Sequence, residues 1–517
     1  MRALDQFDDI IVGAGSAGIP LAARLSADPA RRIALIEAGP DYRSTTETPG
    51  DLLDGNEMSL VDHDWRFVAD LLPTRPTRYF QGKVAGGSSA VGNTIAIRGN
   101  PEDYDEWAAA GNPEWAWSKV LPYFVALEND LDFDGYFHGH EGPTPIRRWR
   151  PGELTPVNQS FFEACTAAGI PRTDDHNHPA STGVGPAPSN RKDGRMRVST
   201  AMAYLSAEVR ARENLTIMPD TVVSRVGLDE GVVRGVEVLT GSATGELRAR
   251  RVILAAGAVC SPAIRRRSGI GPEDDLRRLG IDVRLHLPGV GAGLTDQARS
   301  GVFMVPKSGA ENYGKSIGQI VVRTAAASTG RANDMYYAMV NHFDLATQFP
   351  HLHGAARAER VSAVLVVARE PNSRGRVTLA SADPRVAPRI DLNFLSDDRD
   401  LRLLADGLRF GWELAQSAEI RDLAERVVLL DDSILASDDA VRDYIRSTAD
   451  PAYNPVGTAR MGPADDPMSV VDQRCAVHGI DGLYVADASV MPAMVRANIN
   501  LTVIMIGERL AELLRNS

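Results

Sequence analysis

The stretch Ile10-Ile11-Val12-Gly13-Ala14-Gly15-Ser16-Ala17-Gly18 restricts the fold more than any other part of the chain. An apolar run that breaks into glycines spaced GxGxxG reads as a buried strand turning directly into a helix, here through Leu21, Ala22 and Leu25. The first glycine permits the tight turn, the second lets backbone approach a pyrophosphate, and the third lets helix pack close on strand. A second short strand, Ile33 to Ile36, ends at Glu37, 24 residues beyond Gly13. That is near the spacing at which a carboxylate accepts hydrogen bonds from an adenosine ribose. A strand before, a helix after and an acid ending the next strand favour a dinucleotide-type ligand over a glycine-rich turn in an unrelated α/β protein.

Composition decides what surrounds this start. At 517 residues, 44% hydrophobic and 24% charged, the chain has the mix of a globular protein of two to four domains, or of one large two-lobed enzyme. Disordered, collagen-like and disulfide-scaffold classes are excluded. With 56 Lys+Arg against 68 Asp+Glu the net charge is −12, which argues against nucleic acid or anionic membrane as the main partner. Cys165, Cys260 and Cys475 read as reduced thiols of a cytoplasmic protein. His138, His140, His176 and His178 form two close pairs, but no HExxH or carboxylate-rich loop accompanies them. They are expected as exposed loop histidines, with no metal. The first residues, MRALDQFDD, lead to the expectation of no export signal, and no run of eighteen apolar residues is present.

Further strands are expected at Leu215 to Met218, at Val252 to Gly257 and at Gly482 to Ala486, which stops at Asp487; an apolar helix follows from Asn498 to Leu514. The expected fold is therefore α/β: a Rossmann-like lobe assembled from residues 1–155, 192–300 and 452–517, plus an α+β substrate lobe from 156–191 and 301–451. Alternating stretches such as Met335 to Met339 and Arg376 to Leu379 suit an antiparallel sheet in that second lobe.

A second glycine loop, Gly82-Lys83-Val84-Ala85-Gly86-Gly87-Ser88-Ser89, lacks the spacing of a P-loop. Together with Arg98 to Trp107, Gly257 to Pro262, Ser268 to Pro272, Pro455 to Gly462 and Val485 to Ser489, it resembles the glucose–methanol–choline family of flavin oxidoreductases over nearly the whole chain. The resemblance implies FAD, with the antiparallel lobe roofing its isoalloxazine ring. It also implies oxidation of a small or medium alcohol by hydride transfer to flavin N5, with oxygen or another acceptor taking the electrons. Carried over by position, Gly13, Gly15 and Gly18 hold the pyrophosphate, Glu37 the ribose and Val223 the adenine. Gly86, Gly87, Ser88 and Asn93 run beside the flavin and ribityl, and Asp487 and Ala488 return to the phosphate-ribityl region. Ser16, Ala17, Ala38, Lys83, Gly92, Ala256, Gly257, Asn498 and Thr502 complete the expected contacts. The N-terminal amides of the last helix would face the flavin edge that gains negative charge on reduction. Where relatives attach the flavin covalently through a histidine, this chain has Val91, so the FAD is expected to be dissociable.

The sequence departs from the family at its centre. The stretch that usually carries the catalytic histidine reads Tyr453-Asn454-Pro455-Val456-Gly457-Thr458, and its partner position is Asn498. A carboxamide donates and accepts hydrogen bonds but cannot take a proton as imidazole does. Three accounts follow: another group or water takes the proton, Asn454 is an introduced change that weakens a working enzyme, or the redox chemistry has been replaced. His342 is the histidine of the expected substrate sheet to inspect for the first, although an ordinary structural role is favoured for it. The third corresponds to a lyase or light-driven decarboxylase that retains FAD, or to a flavin-holding interaction protein. A second departure is Thr295-Asp296-Gln297 in place of the usual NLxDH ending, and Gly92 stands where many relatives have asparagine.

Overall fold

The computed structural model describes residues 6–310, 312 and 314–515. Five strands form a parallel sheet in the order Leu215–Met218, Ile33–Ile36, Gln6–Val12, Ala243–Leu254, Leu483–Val485. Their apolar runs are continuous because both faces are covered; Ile10, Ile11, Ile33, Leu35, Val252 and Ile253 have no exposed surface. Helices Gly18–Leu25 and Asn500–Arg515 pack together beside this sheet. The long strand Ala243–Leu254 continues past the parallel region and pairs antiparallel with Val232–Thr240, which pairs in turn with Val222–Asp229. All five parallel strands end on one edge, where Gly13, Glu37, Ala255 and Ala486 follow. An edge of this kind is where open α/β sheets bind ligands.

The second large sheet is antiparallel, in the order Ala424–Val428, Ala298–Pro306, Arg360–Ala368, Met335–Asp344, Gly318–Thr324, Gly183–Pro186. Its two faces separate by strand alternation. Met335, Tyr337, Met339, Val364 and Val366 join the core that includes the buried side of helix Asp398–Ala415. Tyr336, Ala338, Val340, Leu365 and Val367 face the cavity described below. Gly407 allows the helix to lie close on the first face, since a Cβ there would stand 2.3 Å from Met335 Cε.

Three sequence expectations are corrected. The strand Gly375–Thr378, expected in the antiparallel substrate sheet, belongs to a separate mixed sheet with Ala292–Leu294, Arg389–Asp391, Phe67–Leu72 and Arg75–Tyr79. Alternation announces a strand and is silent about its partner. The last helix begins at Asn500, two residues after Asn498. His138 and His176 are buried, at 7% and 1% exposure, whereas His140 and His178 are exposed as expected.

His138 sits among Glu128, Asp130 and Asp175, with ring nitrogens 3.3, 3.0 and 3.0 Å from their carboxylates. Glu128, Asp130 and His138 are close enough to gather an ion. Arg98 already pairs with Glu128, however, and Arg148 with both Asp130 and Asp175. A protonated His138 is the third cation to three carboxylates, which makes the group a closed charge cluster. Among the described residues, no helix is long and apolar enough to cross a membrane.

Candidate active site

A cavity of about 900 Å³ extends from the edge of the parallel sheet to the antiparallel sheet. The turns after the parallel strands supply Gly13, Gly15, Ser16, Ala17, Glu37, Ala38, Ala256, Gly257, Asp487 and Ala488 to its wall. Val223 comes from the hairpin extension, and Lys83, Gly87, Ser88, Gly92 and Asn93 come from the second glycine loop and its continuation. Asn454 and Asn498 line it as well.

The glycines divide by what a side chain would meet. Gly13 has a φ of 106°, and a Cβ there would lie 2.5 Å from the Ala255 carbonyl oxygen. At Gly15 the nearest atom to an added Cβ is Gly87 Cα at 3.9 Å, so this position faces open space. Gly18 and Gly86, both expected to touch the ligand, lie behind the wall instead. A Cβ on Gly18 would fall 1.9 Å from the Gly13 carbonyl oxygen, so its bareness serves helix packing. The Gly86 N–H donates to the Ala14 carbonyl at 2.8 Å and ties the two glycine loops together. Thr502 is also placed off the wall: its Oγ1 is 2.9 Å from the Tyr104 hydroxyl. A helix turns about 100° per residue, so Asn500 and Val503 face the cavity and Thr502 does not.

Two carboxylates are fixed by backbone donors. Glu37 accepts from the N–H groups of Ala14 at 3.0 Å and Gly39 at 2.9 Å. Burial pushes its pKa up to about 7, against the pull of those hydrogen bonds. Asp487 accepts from the N–H groups of Gly257 at 2.9 Å and Ser489 at 2.8 Å. Ser16 Oγ donates to Asn500 Oδ1 at 2.8 Å, which holds the start of the last helix against the first glycine turn.

The two asparagines belong to one hydrogen-bonded chain. Asn454 donates its backbone N–H to Asp296 Oδ1 at 2.8 Å and its side-chain amide to Gln297 Oε1 at 3.0 Å. That same Gln297 oxygen accepts from Arg369 at 2.7 Å, and Arg369 also donates to Asn498 Oδ1 at 3.1 Å. Gln297 spends its own N–H groups on the carbonyls of Arg369, Val495 and Ala497, each at 3.2 Å. Preceding Asn454, Tyr453 takes a φ of 61°, in the left-handed region that a tyrosine rarely adopts. Asp296 stands behind the chain, its second oxygen accepting from the Tyr79 hydroxyl at 2.6 Å. Burial lifts its pKa to about 7, opposed by these hydrogen bonds.

His342 is not in the cavity wall; its Nε2 lies 3.2 Å from the Lys315 carbonyl oxygen. None of the described wall residues is a histidine. Sequence reasoning missed Arg369, which ends an apolar strand with no motif around it. Gln297 had a signal in the altered Asp296-Gln297 ending, and its contact with Asn454 shows that the two departures are one feature.

A family model described as GMC oxidoreductase matches residues 7–299, and its C-terminal counterpart matches residues 371–507. The chain belongs to the GMC oxidoreductase family. It is 37% identical to a 5-(hydroxymethyl)furfural oxidase of Methylovorus sp. (strain MP688), over 98% of each chain. It is 34% identical to an oxygen-dependent choline dehydrogenase of Stenotrophomonas maltophilia (strain R551-3), covering 100% of this chain and 96% of that one. Among solved structures, pyridoxine 4-oxidase from Mesorbium loti superposes with a TM-score of 0.90 at 30% identity, over 99% of both chains.

As a GMC oxidoreductase the protein is an FAD-dependent enzyme of alcohol oxidation. The cavity fits that cofactor. Gly15 leaves room for a pyrophosphate beside the first turn, Glu37 is the acceptor at the second strand end, and the last helix directs its N-terminus at the wall.

Proposed function

We propose that this enzyme oxidises the hydroxyl of a small or medium organic alcohol with Asn454 and Asn498 orienting the hydroxyl and no side chain acting as its base. The single observation that carries this reading is the shared Gln297–Arg369 chain, which fixes both amides in a wall without imidazole. When bound, FAD supplies the two-electron acceptor. The protein's residues do the remainder: Asn454 and Asn498 hold the substrate oxygen, while the sheet residues Ala338, Leu365 and Val367 exclude water around it.

Asp296 does not replace the missing base, because it lies behind the wall, separated from the cavity by Asn454 and Gln297, whose backbone N–H groups it accepts. Glu37, Asp220 and Asp487 belong to the turns after the parallel strands, the part of the wall that the cofactor takes. The proton therefore leaves the substrate without general-base help, which ordinarily contributes about 100- to 10,000-fold. FAD is held without a covalent link, Val91 standing in the wall where an attaching histidine would be needed. The cofactor segments are residues 1–155, 192–300 and 452–517, and the substrate segments 156–191 and 301–451. Oxygen or another acceptor then takes the electrons.

The compounds in the names of the similar proteins, 5-(hydroxymethyl)furfural, choline and pyridoxine, set the first panel to try. Anaerobic mixing with primary and secondary alcohols, in the dark, should bleach the oxidised flavin absorbance slowly with at least one of them. Bleaching only under illumination would overturn the reading.

A further inference from the structure

Arg369 is 2% exposed, lines the cavity and has no carboxylate partner among the described residues. Arg299, another guanidinium of the wall, is by contrast held by Asp450 at 2.6 Å. Arg369 spends two donors on neutral amide oxygens, and its Nε has no hydrogen-bond partner. Its guanidinium stacks 4.0 Å from the centre of the Tyr336 ring. The Tyr336 hydroxyl is also buried without a partner, and it too lines the cavity. Burial of an unpaired cation is costly, and five N–H groups in a planar fork match a carboxylate.

We propose that Arg369, with Tyr336 beside it, is the docking point for a carboxylate carried by the substrate, so that the enzyme takes 2-hydroxy acids with an apolar side chain. This deepens the proposed function and rests on it. The position of the carboxylate follows from the hydrogen-bonded chain. Arg369 contacts Asn498 directly and Asn454 through a single shared oxygen, so an anion on the guanidinium lies next to the hydroxyl that the two amides hold. Beyond them the wall turns apolar at Val321, Ala338, Leu365 and Val367, which suits an alkyl or aryl group. Oxidation would convert the CH–OH to a carbonyl, two electrons and one proton passing to FAD and the second proton to water. A quaternary ammonium substrate would be repelled by the same charge.

Binding is tested apart from turnover by calorimetric titration of the FAD-loaded protein with phenylacetate, which has no hydroxyl to oxidise. Wild type should bind it, Arg369→Met should bind it at least tenfold more weakly, and Arg369→Lys, which keeps the charge but loses the planar fork and the stacking on Tyr336, should fall between the two. Tyr336→Phe should weaken it several-fold and decides the matter if Arg369→Met fails to fold. In turnover, mandelate should be preferred over methyl mandelate, in which a neutral methyl ester replaces the carboxylate. Equal phenylacetate affinity in wild type and Arg369→Met, no binding to wild type, or a preference for methyl mandelate would overturn the subsite. Arg369-dependent phenylacetate binding with no flavin reduction by any alcohol would instead leave the subsite and remove the proposed function.

Discussion

Gly15 and Gly18 stand three residues apart and are bare for opposite reasons. A methyl group on Gly15 projects into the cavity, so Gly15→Ala should give a folded protein whose FAD affinity falls roughly tenfold, about 1.4 kcal/mol. Fluorescence titration of apoprotein with FAD reads this directly. Gly18→Ala drives a methyl into the Gly13 carbonyl, so it should cost about 1–3 kcal/mol in chemical denaturation of the apoprotein, before any cofactor is added. Asn454 offers the converse experiment, a residue whose replacement adds function. Asn454→His should raise the anaerobic rate of flavin reduction by about 100-fold or more. The nearby Arg369 charge should hold the new imidazole below its ordinary pKa near 6.5, so the gain should persist into mildly acidic solution. A rate of Asn454→His no higher than wild type at any pH would show that proton removal is not what limits this site. Most of the wall residues were legible because glycine turns and strand-ending acids have fixed spacing. Arg369 was not, because its meaning comes from having no carboxylate opposite it, and such a vacancy is a property of the fold.

Strands and helices carry the next part of the account. The parallel strands could be read from sequence since burial on both faces leaves continuous apolar runs ended by Gly13, Glu37 and Asp487. Alternation in Met335 to Met339 identified a strand but not which side faced the cavity. Packing decides it: helix Asp398–Ala415 covers Met335, Tyr337 and Met339, which leaves Tyr336 and Ala338 to the wall. The same argument predicts that Gly407→Leu, pressed against Met335 and Val366, lowers stability by about 1–3 kcal/mol while leaving the alcohol KM near wild type. Thermal denaturation and steady-state kinetics together check this. A large change in KM without loss of stability would mean that the two faces of the sheet are not independent. Gly375–Thr378 was misplaced for a related reason, since sheet membership is settled by long-range pairing.

At the scale of the whole molecule, charge is organised by local closure. The cluster of Glu128, Asp130 and Asp175 with Arg98, Arg148 and His138 ties the stretch that starts at Arg98 to segments that include the two histidine-bearing loops. Burial by itself would lower the His138 pKa, but its three carboxylate partners raise it to about 10. A folded pKa above the unfolded value of about 6.5 stabilises fully below that pH, and the contribution fades as pH rises through about 10. His138→Gln should therefore lose most thermal stability at or below pH 6.5, with the deficit shrinking toward pH 10. A deficit independent of pH would assign His138 a packing role alone.

The central claim is that two amides, an arginine and FAD form a working alcohol-oxidising site without an imidazole. Stopped-flow mixing of the oxidised holoenzyme with alcohols and 2-hydroxy acids, under anaerobic conditions in the dark, tests it most directly. The account predicts loss of the oxidised flavin band with at least one substrate, at a rate that Asn454→His increases. Persistence of that band with every substrate, while dithionite still removes it, would contradict the account.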